Sequence, residues 1–468
     1  MVSTYFKKIK ARFSSRYDSS ETLVDQGEDR QSQSQTTIDT KEIVTNYEKK
    51  RKSSIQMAIF NLANNVIGMG VIWLPLCTQI SGVAVGLSLI FFAFLMSSLT
   101  GYLIAVCSMR NKVTTYQSLA GDVLGQIAYI VTCVCRMLLP FSMCVAYARL
   151  VSNTLAGVFD HYKILTSFLG EPIYMMMISL FLVVMPFAML KHVSFLEHIS
   201  FFSILFVIFY TTVFVIVLFY YPSRILLLPD TWAMAKPGFF QAFATFALAY
   251  TTHHNVLLLY NSLHNNTVER FTCVIFVSFG FAFVIFLIIV IAGFVSFSGV
   301  IFGDILSNYC MDSMLMLITR IIFCVSLLTT LPLQAISVRS SLFELIKERF
   351  PDSRRNRIFI TLTLFIAIYT VALLPLPIKT IIEITGALTT SPLVVILPCL
   401  MYLKVEQGVF FKRNIKTVVL WMLIVIGVVL VIFGTTMAIR DCVLAGEDFK
   451  FPRYWCDGDN EFIENKSG

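Results

Sequence analysis

The apolar run from residue 55 to about residue 80 is long enough to cross a bilayer, yet its centre reads Asn61-Leu-Ala-Asn-Asn-Val-Ile-Gly-Met-Gly-Val-Ile-Trp-Leu-Pro75. Lipid offers no hydrogen-bond partners, so a spanning segment has to satisfy its backbone internally, as an unbroken helix does. Gly68-Met69-Gly70 is where such a helix unwinds most easily, because glycine adopts non-helical angles without steric penalty. Exposed backbone at membrane depth is tolerated only where protein covers it or a cavity meets it. Two readings follow: small residues that let helices pack closely, or an interrupted helix built around a transporter binding site.

The rest of the chain places this stretch in a membrane protein. Of 468 residues, 57% are hydrophobic and only 14% charged, whereas soluble domains run near a quarter charged. About 20 residues cross the hydrocarbon core. On that measure there are eleven candidate spans: 55–80, 83–109, 123–158, 172–190, 194–221, 238–262, 270–298, 313–345, 356–374, 378–403 and 414–438. The fold class is therefore an all-α integral membrane protein. Residues 1–54 are polar, with few aromatics, and read as a disordered tail. Residues 55–438 form the membrane domain, and residues 439–468 a second tail.

Basic residues set the orientation. Lys49-Lys-Arg-Lys52 precedes the first span and puts the N-terminal tail in the cytosol. The boundaries on that side carry fourteen lysines and arginines, six of them between Arg339 and Arg357. The opposite boundaries carry four: Lys163, Arg224, Lys236 and Lys379. The C-terminal tail then lies outside the cell or in a lumen, with a glycosylation sequon at Asn465. Cys310, Cys442 and Cys456 fall on the same side, and any two of them can pair as a disulfide or stay free. The net charge of +8 is spread over these loops and is not a nucleic-acid footprint.

Eleven spans with a broken first helix suggest two inverted five-helix repeats plus one helix, so the sixth span should be broken too. Its centre holds Thr245, Tyr250, Thr251, Thr252, His253, His254 and Asn255 in an otherwise apolar segment, although no glycine or proline marks the break.

Four motifs in order resemble the amino acid/auxin permease family, in particular its neutral amino acid transporter branch. Asn61-Leu-Ala-Asn64 with Gly68-Met-Gly70 is similar to the first-helix motif. His253 with Tyr260 resembles the sixth-helix pattern, with Thr252 and Leu258 standing where the family has Cys and Pro. Arg320, Thr330-Leu-Pro332 and Arg339 resemble the eighth-helix pattern, and Thr385-Gly-Ala387 through Tyr402-Leu-Lys404 the tenth. The resemblance runs from about residue 54 to 433. It implies a LeuT-like fold with helices 1 and 6 interrupted, and secondary transport of amino acids by a multi-pass protein of the plasma membrane or of a vacuolar or lysosomal membrane. An amino acid sensor signalling through its cytosolic tail is the alternative.

A zwitterion needs donors for its carboxylate and acceptors for its ammonium, and unwound backbone supplies both. Gly68, Met69 and Gly70 are the expected carboxylate cradle, with Asn61 and Asn64 facing the ammonium or an ion. Phe246 and Tyr250 shape the side-chain pocket by analogy with the family. Trp73 and Pro75 are assigned to packing. A coupling Na⁺ wants hard oxygen ligands, and Asn64 with Thr329 or Thr330 resembles the family's sodium site. Coupling to H⁺ instead needs a titrating group; His253, His254, Glu197 and Glu383 are the candidates, with His253 and Glu383 foremost. Arg136, Arg149 and Arg320 are expected to pair structurally. Beyond the coupling ion no cofactor is expected. No catalytic motif points to an enzyme, and the chain is expected to act as a monomer whose partners are its amino acid substrate and the bilayer.

Overall fold

The computed structural model describes residues 53–68, 71–189, 194–220, 232–297, 301, 304–309, 313–346, 353–407 and 414–444. Met1–Lys52 is a separate unit outside the described residues. Met69, Gly70, Cys310, Cys456, Asn465 and the side chain of Glu197 also lie outside them. Among the described residues the structure is helical, with one isolated bridge and no strand.

Helix α1 (Ile55–Ile67) starts at Ser54, whose side chain caps it by accepting from Met57 N at 3.2 Å, and it stops at Gly68. A single tight turn over Val71–Trp73 leads into α2 (Leu74–Ser81). Pro75 falls in the first turn of α2, where its missing N–H costs nothing. There follow α3 (Val83–Asn111), a short α4 (Tyr116–Leu124), α5 (Gln126–His161), α6 (Pro172–Ala188) and α7 (Ser194–Tyr220). Helices α8 (Phe239–Ala249) and α9 (His253–Ser262) are separated by residues 250–252. The chain continues as α10 (Val268–Ser296), α11 (Met314–Ile346), α12 (Arg354–Ala372), α13 (Ile378–Glu406) and α14 (Ile415–Val443). In α13 the turns widen over Gly386–Ile396, around Pro392, which accommodates a residue with no N–H to give.

Seven of these helices are long and apolar enough to cross a membrane: α3, α5, α10, α11, α12, α13 and α14. The expected spans 55–80, 172–190, 194–221 and 238–262 fall on α1–α2, α6, α7 and α8–α9. Large apolar side chains face outward, Leu182 at 72% exposure and Phe219 at 75%. Such a surface suits lipid and not water.

Backbone hydrogen bonds join the half-length helices in pairs. Where α2 ends and α8 begins, Ala233 O accepts from Val83 N at 3.0 Å and Met234 O from Val85 N at 3.1 Å. Ser81 O and Ile80 O accept in return from Lys236 N at 2.8 Å and Gly238 N at 3.1 Å. This approach needs glycine twice. Gly82 sits at φ +89°, and a Cβ on Gly238 would lie 2.5 Å from Ile80 O. Where α1 begins and α9 ends, Ser53 N donates to Ser262 O at 2.9 Å and His264 N to Ser53 O at 3.0 Å. So α2 is tied to α8, and α1 to α9.

Helix α13 packs on α8 through Gly386, where a Cβ would lie 2.7 Å from Ala244 O. Backbone cannot yield as a flexible side chain does, and overpacking of this kind costs about 1–3 kcal/mol. Gly386→Ala should therefore lower the thermal midpoint of the detergent-purified protein by several degrees. Gly280→Ala in α10, where a Cβ meets nothing within 4 Å, should leave the midpoint unchanged or raise it slightly through helix propensity.

Candidate functional site

The end of α1 opens onto a small cavity walled by α1–α2, α5, α7 and α11. Asn64, Ile67, Gly68, Val71 and Trp73 come from the first wall, Tyr147 and Leu150 from α5, and Ser203, Val207 and Tyr210 from α7. Helix α11 contributes Phe323, Ser326, Leu327 and Thr330. The spacings 203/207/210 and 323/326/327/330 each keep to one helix face. The cavity measures about 20 Å³, room for one or two waters, so anything larger requires the walls to part. No lining residue carries a charge.

The backbone at the break is partly satisfied. Gly68 N donates to Asn64 O at 3.1 Å, closing the last helical turn. The Gly68 carbonyl accepts a hydrogen bond from the Tyr147 hydroxyl of α5. Thr330 packs against this point, its Cγ2 being 4.0 Å from where a Gly68 Cβ would sit. Its hydroxyl donates to Ser326 O at 2.9 Å, so the Thr330 oxygen turns only lone pairs outward. Thr329 donates to the same carbonyl at 2.8 Å but is not among the cavity's lining residues. Asn61 lies one turn back along α1 and is not among them either. Among the described residues no cluster of three or more His, Cys, Asp or Glu converges on a metal-sized position. A cation here would rest on neutral oxygens: the Asn64 amide, the Thr330 hydroxyl and main-chain carbonyls. These are hard donors that fit an alkali ion.

The second break is built differently. Phe246 and Tyr250 are fully buried and do not line this cavity. The Tyr250 ring packs among Phe94, Phe279 and Phe286, with centroids 6.5, 6.1 and 5.2 Å away. His253 Nε2 lies 2.9 Å from Thr100 Oγ1 and 3.2 Å from Ser97 O, which ties α9 to α3. His254 is buried beside it. Thr251 Oγ1 donates to Ala247 O at 2.9 Å and lies 3.2 Å from Thr390 Oγ1 on α13.

Glu383 stands apart from the cavity, in a charged group where α8, α13 and α14 meet. Its Oε1 is 3.6 Å from Lys379 Nζ, and Lys379 is also 3.9 Å from Asp441 on α14. Asp441 accepts from Gln241 Nε2 of α8 at 2.6 Å. The span arginines serve structure, since a guanidinium stays charged and needs acceptors. Arg149 donates to Leu376 O, and Arg136 to Gln117 beside Glu344. Arg320 donates to Leu306 O at 2.9 Å and Tyr309 O at 2.6 Å. Asp304 lies near it in the loop before α11. Burial raises the Asp304 carboxyl above its ordinary range, opposed by hydrogen bonds from Ser307 and by the Arg320 charge.

Of the residues singled out from sequence, the fold brings Asn64, Gly68 and Thr330 to one cavity and leaves Phe246, Tyr250, His253 and Glu383 elsewhere. Trp73, assigned to packing, lines the cavity. Tyr147, Ser203, Tyr210, Phe323 and Ser326 were not anticipated. The signal available for them was modest: polar or aromatic residues at mid-span, recurring on one helical face.

Comparison with known proteins bears on the family and the fold. A model of the family described as transmembrane amino acid transporter protein matches residues 51–440. A Danio rerio protein with the provisional name sodium-coupled neutral amino acid transporter 11 is 27% identical over 86% of this chain and 90% of its own length. Vacuolar amino acid transporter 2 of Saccharomyces cerevisiae is 23% identical over 85% of each chain. Human sodium-coupled neutral amino acid transporter 7 is 24% identical over 81% of this chain and 86% of its own. Among solved structures, MhsT in complex with L-phenylalanine superposes with a TM-score of 0.54 at 12% identity, over 83% of this chain and 99% of that one. That likeness shows a shared LeuT-like helical fold. An apolar multi-helix bundle, a helix broken at a cavity and a family match across most of the sequence lead to one statement: the chain belongs to the transmembrane amino acid transporter family.

Proposed function

We propose that the protein is a secondary active transporter of small neutral amino acids, driven by Na⁺. It would work as eleven spans, two inverted sets of five plus one, with the N-terminal tail in the cytosol as the lysine and arginine bias requires. The observation that carries this reading is the meeting of Asn64, Gly68 and Thr330 at the end of a helix inside an uncharged cavity. Oxygen-rich and charge-free, such a place suits a monovalent cation beside a zwitterion. The names of the Danio rerio and human relatives point to the same ion.

In this reading Asn64, Thr330 and the Gly68 carbonyl hold the ion, with Thr329 in support and Asn61 one turn away. The Gly68 N–H is taken by Asn64 O, so the main-chain N–H groups of Met69, Gly70 and Val71 after it would receive the substrate carboxylate, helped by the dipole of the following turn. Phe246 on α8 and Tyr250 just after it stay in the packed core away from the cavity, and His253 holds α9 to α3. Proton coupling through Glu383 or His253 is the competing mechanism. Neither residue is among those lining the cavity. The sensor alternative has no observation in its favour, since its signalling segment, residues 1–52, lies outside the described residues.

Two predictions test the reading in proteoliposomes with imposed gradients. Uptake of labelled alanine should need Na⁺, and Thr330→Ala should raise the half-saturating Na⁺ concentration about tenfold or more. A bond to a charged group is worth about 1.5–3 kcal/mol. Glu383→Gln should keep that Na⁺ dependence. Uptake driven by a pH gradient alone and abolished by Glu383→Gln would replace Na⁺ with H⁺. Separately, Tyr147→Phe removes the donor to Gly68 O and leaves a buried carbonyl unpaired, at a cost of about 1–3 kcal/mol. It should lower kcat/KM for alanine roughly five- to a hundredfold, while the protein still elutes as a folded species in size-exclusion chromatography.

A further inference from the structure

The cavity has two chemically different ends. Thr330, beside Gly68, stands two turns along α11 from Phe323, which packs on Tyr210. The polar Asn64, Gly68 and Thr330 and the two rings therefore lie toward opposite ends of a lining that also includes Trp73, Tyr147, Ser203 and Ser326. An amino acid has the same asymmetry, with charged groups on one carbon and a variable chain leading away from it. The polar end suits the head group, so the side chain runs toward α7 and α11.

The aromatic end is firm. Tyr210 and Phe323 meet edge to face, centroids 6.0 Å apart at 82°, and they are only 4% and 5% exposed. Behind Tyr210 lies Phe214 at 6.3 Å, then Tyr309 stacked on Phe214 at 5.7 Å, then Phe297 against Tyr309 at 4.7 Å. A column of packed rings gives way little, because close-packed interiors transmit strain and do not absorb it.

Distance along α11 sets the scale. Phe323 and Thr330 are seven residues apart, about 10 Å at 1.5 Å per residue. A head group and its ion at the Thr330 level take up roughly half of that span, given ligand distances near 2.5–3 Å. What remains along α11 is about 5 Å. Because the cavity itself holds only a water or two, a side chain enters as the walls part and extends three or four heavy atoms at most before it meets the Phe323 ring.

We infer that the Tyr210–Phe323 pair is the size stop of the substrate site, admitting small neutral side chains and excluding aromatic ones. The inference rests on the transport reading above. Neither residue touches the head group in this arrangement, so both act on specificity through volume. Phe323 is the ring that fills the subsite, and Tyr210 is the wall it closes against.

The test compares kcat/KM for alanine and phenylalanine in proteoliposomes of wild type, Phe323→Ala, Phe323→Leu and Tyr210→Phe. Wild type should prefer alanine. Removing the Phe323 ring should raise the phenylalanine-to-alanine ratio at least tenfold, since pocket volume of this order discriminates 10- to 200-fold. Phe323→Leu should move it in the same direction by less, and it carries the test if Phe323→Ala fails to fold. Tyr210→Phe keeps the ring and should leave the ratio within about twofold. A purely structural role would lower both substrates together and leave the ratio flat, overturning the inference while alanine uptake stands. Equal use of phenylalanine and alanine by wild type would overturn it too. Wild type that takes up no neutral amino acid under any gradient would instead overturn the transport reading, and the inference with it.

Discussion

A helix that ends inside an apolar bundle leaves carbonyl and N–H groups away from bulk water, and this constraint governs the rest of the structure. At Gly68 it is met from outside the helix, by the Tyr147 hydroxyl of α5. The partner comes from a neighbouring helix, and α5 in turn packs extensively against α11. Gly68 itself keeps right-handed helical angles; a Cβ there would meet Thr330 at an ordinary 4.0 Å and crowd Asn64 O at 3.3 Å. One requirement, backbone satisfaction in lipid, thus brings α1, α5 and α11 to the same point and leaves a polar recess among them.

The second break meets the same requirement without glycine or proline. Thr251 turns its hydroxyl back onto Ala247 O, a local bond that competes with helix continuation. Around it the packing is dense: Tyr250 sits among three phenylalanines, and Gly386 lets α13 press against the backbone of α8. The two breaks differ in character. The first borders open space, and the second is filled with rings.

This difference decides how much was legible from the sequence. Gly68 was readable because a glycine stands within a span, and Thr330 because Thr330-Leu-Pro332 resembles the family's eighth-helix pattern. The apolar runs were readable from length alone. Tyr147, Tyr210 and Phe323 were not, because aromatic residues in a span ordinarily face lipid or pack, and what gives these three a site position is a cavity shared with Gly68, from which they are 79 to 255 residues away in sequence. Trp73 was read as packing for the same reason. The sequence also pointed to Tyr250 by analogy, but whether a mid-span tyrosine lines a cavity or fills a core depends on Phe94 and Phe286, which come from α3 and α10. Glu383 was visible as a buried acid, whereas its tie through Lys379 to Asp441 depends on the last helix folding back onto α8.

On the transport reading, the paired half-helices explain how an ion does work. Helix α1 is bound to α9 and α2 to α8 by main-chain hydrogen bonds, so neither half of a broken helix moves without its counterpart. The ends of the half-helices at Gly68 and at residues 250–252 are then the places where one pair can swing against the other. A cation held by Asn64 and the Gly68 carbonyl on one side and by Thr330 on the other spans α1 and α11. It stabilises only those conformations in which the two approach, and a ligand shifts an equilibrium by its differential affinity and no more. When the ion leaves, that preference goes with it and the α1–α9 pair is free to part from α11. Substrate in the same recess adds its own preference for the closed walls. Both ligands thereby favour one set of conformations through the same contact, which is the physical content of coupling.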